Sequence, residues 1–136
     1  MKKTTLLLFL ACSFLLSSCD NPAKSKLVLD DGLELFYNKA DYDGAAACFE
    51  KAVRYDKNNP EAYYYLGCSK FNRGMIDQSI VDFEKAIELK PGYQEAEFAL
   101  GRVYFIKQDH DMSCYYYKAA QQHGRPNMDD YVKTCP

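Results

Sequence analysis

The feature that most constrains this chain is an echo 34 residues long. Phe49, Phe83 and Tyr117 stand 34 positions apart, and so do Ala52, Ala86 and Ala120, and Ala45, Ser79 and Ser113. Leu66-Gly67 returns as Leu100-Gly101. The stretch 60–93 shows what is being repeated. Ala62, Tyr63, Leu66 and Gly67 form one apolar stripe, Asn72-Arg73-Gly74 breaks it, and Ile76, Ser79, Ile80, Phe83, Ala86, Ile87 and Leu89 form a second, ending at Pro91-Gly92. Both stripes have 3/4 spacing, which predicts two amphipathic helices joined by a tight turn. One such pair cannot bury its apolar face, so successive pairs must stack. The fold class is therefore all-α. Small residues (Gly67, Gly101, Ala45, Ala52) let paired helices approach closely, and Phe49, Phe83 and Tyr117 fill the space between them.

The pattern resembles the tetratricopeptide repeat, in which Leu-Gly, Ala, Phe and Pro recur at set offsets; Leu66-Gly67, Ser79, Phe83, Ala86 and Pro91 occupy them here. The resemblance implies a right-handed superhelical solenoid within 26–136, with helix-turn-helix repeats at 26–59, 60–93 and 94–127. All three registers are read without an inserted gap. There are departures: Gly32-Leu33 stands where Leu-Gly is expected, Lys70 replaces an aromatic, and Lys57 replaces Pro. After Pro126, Asn127 is read as the cap of a closing helix at 127–134. Its Met128, Tyr131 and Val132 would cover the exposed face of the third repeat.

Residues 1–18 read as an address, not as part of the fold. Lys2 and Lys3 give a charged start, and Leu6 to Leu16 is apolar but too short to span a bilayer as a stable helix. The stretch ends in Leu16-Ser17-Ser18-Cys19, which resembles the lipobox of bacterial lipoproteins. By that resemblance Cys19 carries the lipid and becomes the new N-terminus, and its acyl chains tie the protein to the inner or outer membrane of a cell envelope. Residues 20–25 are short and polar and read as a tether, with Pro22 discouraging helix.

Four cysteines then remain: Cys48, Cys68, Cys114 and Cys135, which allow three full pairings. In the repeat frame Cys114 faces the closing helix that carries Cys135, so a Cys114–Cys135 disulfide would staple the solenoid's end. Cys48 and Cys68 fall on different helices and read as free, half-buried thiols. No two Cys or His have metal-ligand spacing, and no metal or other cofactor is expected.

Function is expected on the inward side of the first helix of each repeat, by resemblance to the family. That set is Asp30, Glu34, Tyr37, Tyr64, Cys68, Phe71, Phe98, Arg102 and Phe105. The groove proper is assigned to Tyr37, Tyr64, Phe71, Phe98, Arg102 and Phe105, because aromatics and Arg carry binding energy at protein interfaces. Phosphate-loop, HExxH and GxSxG motifs are absent, so no enzyme is expected. The net charge of -2 includes no basic tract, which argues against nucleic acid. The expected partner is a protein or peptide of the envelope. The alternative is a structural or glycan-associated lipoprotein, suggested by 12 tyrosines that include Tyr63-Tyr64-Tyr65 and Tyr115-Tyr116-Tyr117. If Cys19 carries the lipid, Cys19→Ser should abolish incorporation of radiolabelled palmitate and shift the protein from the membrane to the soluble fraction. Unchanged labelling of the variant would rule Cys19 out.

Overall fold

The computed structural model of the protein describes residues 20–136, so the leader and Cys19 lie outside the described residues. Among these the order is α1 (Pro22–Asn38), α2 (Tyr42–Tyr55), α3 (Pro60–Asn72), α4 (Ile76–Leu89), α5 (Gln94–Ile106), α6 (His110–Gln122) and a short α7 (Asp129–Val132), with no strand. Side-chain caps fix four of the starts. Asn21 accepts from the Lys24 amide at 3.0 Å, Asp41 from Gly44 at 2.9 Å, Asn59 from Ala62 at 3.1 Å and Asp109 from Met112 at 3.1 Å. Each cap satisfies an amide that has no partner inside its helix. The turn within each pair passes through one left-handed residue: Ala40 (φ 51), Gly74 (φ 77) and Gln108 (φ 61).

The helices pair as α1/α2, α3/α4 and α5/α6, and each pair closes on one contact. A Cβ on Gly67 would stand 2.7 Å from the Phe83 ring, and one on Gly101 would stand 2.4 Å from Tyr117. The ring on the second helix lies directly against bare backbone on the first. Gly32 makes the same contact with Phe49, at 2.6 Å.

That third contact corrects the gapless register. Gly32 precedes its ring by one residue more than Gly67 and Gly101 precede theirs. The extra residue lies in the first turn. The Asp41 amide bonds the Leu35 carbonyl, six residues back, whereas Met75 and Asp109 bond Lys70 and Tyr104, five back. So α1 is 35 residues out of step with α3, while α2 and α4 stay 34 apart. Gly32 is the repeat's glycine, not a misplaced one. Leu27 and Asp31 then hold the positions of Ala62 and Leu66. Ala62 and Leu66 are buried in one cluster with Ala45, Phe49 and Ala52 of the preceding repeat. Among the described residues no repeat precedes Leu27 and Asp31, and both are exposed.

Two further expectations change. Residues 20–25 are not a tether: α1 begins at Pro22, whose missing amide costs nothing in a first turn. Ser25 is fully buried there, donating to the Ala52 carbonyl at 2.9 Å and accepting from Asn59 Nδ2 at 3.1 Å. The closing helix spans only Asp129–Val132, and Asn127 does not cap it. Asn127 is left-handed (φ 57), so the chain turns there and drives Met128 into a cluster with Tyr117 and Ala120. Lys70, where the family has an aromatic, pairs with Asp82 of α4 at 2.7 Å. Burial pushes the Asp82 carboxyl up from its ordinary range, and Lys70 pulls it back.

Since each pair depends on a ring against bare backbone, Gly67→Ala should lower stability by about 1–3 kcal/mol, the usual cost of overpacking. Urea denaturation followed by circular dichroism measures it. An unchanged midpoint would show that the Phe83 ring can move aside freely.

Candidate functional site

The first helices α1, α3 and α5 share a groove, and its residues follow from the corrected frame. Phe36, Phe71 and Phe105 are equivalent positions, as are Leu33, Cys68 and Arg102, and Leu29, Tyr64 and Phe98. A cavity of about 260 Å³ crosses all three helices. Tyr37, Tyr64, Phe71, Phe98 and Arg102, all expected from sequence, line it. The sixth expected residue, Phe105, is 59% exposed and lines an adjoining cavity of about 450 Å³ near the solenoid's end. Arg102 borders both and joins them. Asp30 and Glu34 are exposed on α1 and line neither.

Tyr64 anchors the floor. Its ring centroid lies 4.9 Å from Tyr65, 5.4 Å from Tyr93 and 6.0 Å from Phe83. Burial raises its phenol pKa well above the ordinary range, and hydrogen bonding to Cys68, one turn along α3, adds to that. The Cys68 thiol is pushed up to about 12 by burial, even though Tyr64 and Arg102 act to lower it. Burial also raises Cys48, followed by the nearby Asp31 charge. At both positions burial disfavours the thiolate, the form that acts as a nucleophile.

The groove's positive charge comes from two arginines. The Arg102 guanidinium lies 5.3 Å from the Phe71 centroid and that of Arg125 lies 3.8 Å from the Phe98 centroid. Cations so placed are attracted by the ring face. Among the described residues neither has a carboxylate within ion-pair distance. Their donor edges are therefore available, with Asn72 and Glu95 the other polar residues of the lining.

Six lining residues were not expected there: Phe36, Asn72, Phe83, Glu95, Ala99 and Arg125. Phe36 was hidden by the one-residue slip in α1, and Asn72 and Glu95 flank the inward positions. Arg125 belongs to no first helix, and no signal in the sequence marks it. Phe98 differs from expectation in one respect: Arg125 and Tyr131, whose ring stands edge-on at 5.0 Å, already cover part of it.

Cys114 and Cys135 are disulfide-bonded with Cα atoms 5.5 Å apart, while Cys48 and Cys68 are free. Ser113, His110 and Asp130 all border the larger cavity, but they do not form a catalytic set. Ser113 Oγ donates to the Gly101 carbonyl at 2.9 Å, and no hydrogen bond joins it to His110. What these surfaces can do chemically is hold apolar side chains beside a carboxylate.

The fold and groove define a helical-repeat solenoid. Residues 60–93 match the profile of the tetratricopeptide repeat, and residues 34–74 match a second profile described as TPR repeat. The peroxisomal targeting signal receptor of Saccharomyces cerevisiae is 35% identical over 66 residues, 48% of this chain and 11% of the receptor. Hsp70-Hsp90 organizing protein 2 of Arabidopsis thaliana is 26% identical over 102 residues, 74% of this chain and 18% of that protein. The chain thus spans less than a fifth of the length of these curated relatives. Among solved structures, the first repeat domain of Spaghetti (RPAP3) bound to an HSP90 peptide superposes with a TM-score of 0.80 at 18% identity, covering 86% of this chain and 94% of that one. The Yersinia enterocolitica type III secretion chaperone SycD, in complex with a peptide of the translocator YopD, gives 0.74 at 12% identity, covering 79% and 88%.

The half-buried position of Cys68 and the upward push on its thiol have a direct consequence. At neutral pH iodoacetamide should alkylate Cys68 far more slowly in the folded chain than in urea, as read by peptide mass spectrometry. Equal rates would mean that the groove floor opens to solvent on the reaction's timescale.

Proposed function

We propose that this protein is a lipid-anchored adaptor of a bacterial cell envelope. It holds an extended segment of a partner protein in the groove across α1, α3 and α5, and releases it unchanged. The observation that carries this reading is the pair of guanidiniums lying on Phe71 and Phe98 without carboxylate partners, inside an aromatic groove. A partner segment with an apolar side chain for the floor at Tyr64 and Phe83, and an acidic side chain beside Arg102 and Arg125, would satisfy both. Two of the solved solenoids of this fold carry peptides of other proteins, which supports the same use here. The anchor rests on the lipobox-like Leu16-Ser17-Ser18-Cys19. It would confine the module to a membrane surface and raise its effective concentration for partners on that surface.

The test uses tagged full-length protein and in-cell crosslinking, with Tyr37→Ala/Arg102→Glu as the variant. Both side chains are exposed, so stability should stay within about 0.5 kcal/mol of the parent. Phe98 is left alone because Arg125 and Tyr131 pack on it. The expected result is an enriched envelope protein whose crosslinking falls about tenfold or more in the variant, as loss of two interface contacts implies. Undiminished crosslinking would remove the groove as the site. Retention of the protein on purified cell-wall sacculi, unaffected by the variant, would instead favour the glycan-associated reading.

A further inference from the structure

Residues 124–136 turn back across the end of the third repeat, and little besides one covalent bond holds them there. Gly124 (φ 93) and Asn127 (φ 57) fold the chain over. The helix that follows has four residues, far fewer than a helix needs to persist by itself. Its non-covalent anchors are Met128, 2% exposed beside Tyr117 and Ala120, half-buried Val132, the Tyr131 ring against Phe98 and Tyr117, and three contacts made by polar side chains: Arg125 on the Phe98 ring, Lys118 to the Pro136 carbonyl and Gln121 to Asp129. The covalent anchor joins Cys135, next to the chain's end, to Cys114 in α6.

This strap is also a wall. Asp130, Tyr131 and Thr134 form one side of the 450 Å³ cavity, and Arg102, Phe105 and Ile106 form the other. Cys114 itself lines that cavity, so the bond lies where a reductant can approach. The other three clusters are independent of it. Those around Phe49 and Leu66, around Phe83 and Leu100, and around Ala86 and Tyr93 contain no strap residue.

We propose that the Cys114–Cys135 disulfide is a redox latch that builds and dismantles the end of the groove. A dithiol attacks one of the two sulfurs, a mixed disulfide forms, and its second thiol displaces the remaining cysteine. Two electrons and two protons pass to the protein, which leaves two cysteine thiols, and the dithiol becomes a disulfide. The freed strap keeps one buried methionine, half-buried Val132, the exposed Tyr131 ring and a single helical turn, and it lifts away. The wall made by Asp130, Tyr131 and Thr134 goes with it, while Phe98 and Tyr117 are uncovered. The middle of the groove, at Tyr64 and Phe71, stays as it was. This goes beyond the adaptor reading, and its test needs no partner.

The experiment is amide hydrogen exchange and hydroxyl-radical footprinting on the full-length chain in detergent, with and without dithiothreitol. Among the described residues only this disulfide is available for reduction. The reporters are the amides of Val132, Lys133 and Cys135, bonded to Met128, Asp129 and Val132, together with the thioether of Met128. On reduction these amides should exchange roughly a hundredfold faster, the factor that closing a loop of this length contributes. Met128 should become oxidisable to its sulfoxide. Amides of α1 to α4 should not change. Cys135→Ser should reproduce the reduced pattern without reductant. Two results would overturn the latch: strap amides and Met128 that stay protected after reduction, or loss of protection in α1 to α4 together with the strap.

Discussion

The whole structure depends on three places where an aromatic ring lies against bare backbone. At Gly32, Gly67 and Gly101 even a methyl group would collide with Phe49, Phe83 or Tyr117. That contact sets how closely the helices of a pair approach, and the approach sets where the next pair can stack. The small residues around it follow from the same demand. Ala45, Ala52, Ala86 and Ala120 are fully buried because helix backbones pass close beside them. The groove is a consequence of this stacking. Once second helices carry the large rings inward, the first helices are left to share an inner surface.

The contact also explains why so much of the fold was legible. A ring and a glycine that must meet are held at fixed separation in sequence, so they recur and can be found by shifting the chain against itself. Phe83 and Tyr117 announce the second and third repeats in this way. The first repeat obeys the same contact but reaches it through a longer turn, from Leu35 to Asp41. A shift by one period cannot see that. The price was Phe36, which holds the position of Phe71 and was passed over. The start of α1 is hard to read for a related reason. Pro22 discourages helix in a chain's interior, yet a Pro after an Asn cap is also how a helix starts, as Asn59 and Pro60 show one repeat later.

The ends of the solenoid are the least legible parts, because periodicity says nothing about where stacking stops. The two ends stop differently. At the start, the positions that would meet a preceding repeat carry Leu27 and Asp31, both exposed, so that end is finished largely by leaving its surface in water. At the finish, Tyr117 and Ala120 still present an apolar surface of the kind Phe83 and Ala86 present to α5. No further repeat follows among the described residues, and Met128 supplies a fragment of what a next helix would bury.

A four-residue helix is a poor substitute for a complete one, and this is the physical reason for a disulfide at that point. The bond restricts the unfolded chain and keeps the fragment near its seat without needing more buried area. It also places the strap's polar residues, Asp130 and Thr134, opposite Arg102. The same guanidinium that lies on Phe71 therefore borders both the groove's middle and its end. The site's composition thus varies along its length. Its middle is built by repeats that stacking alone maintains, and its end is built by a segment that stacking cannot maintain. Any change in the covalent bond acts on the second part only, so the fold separates a constant binding surface from an adjustable one.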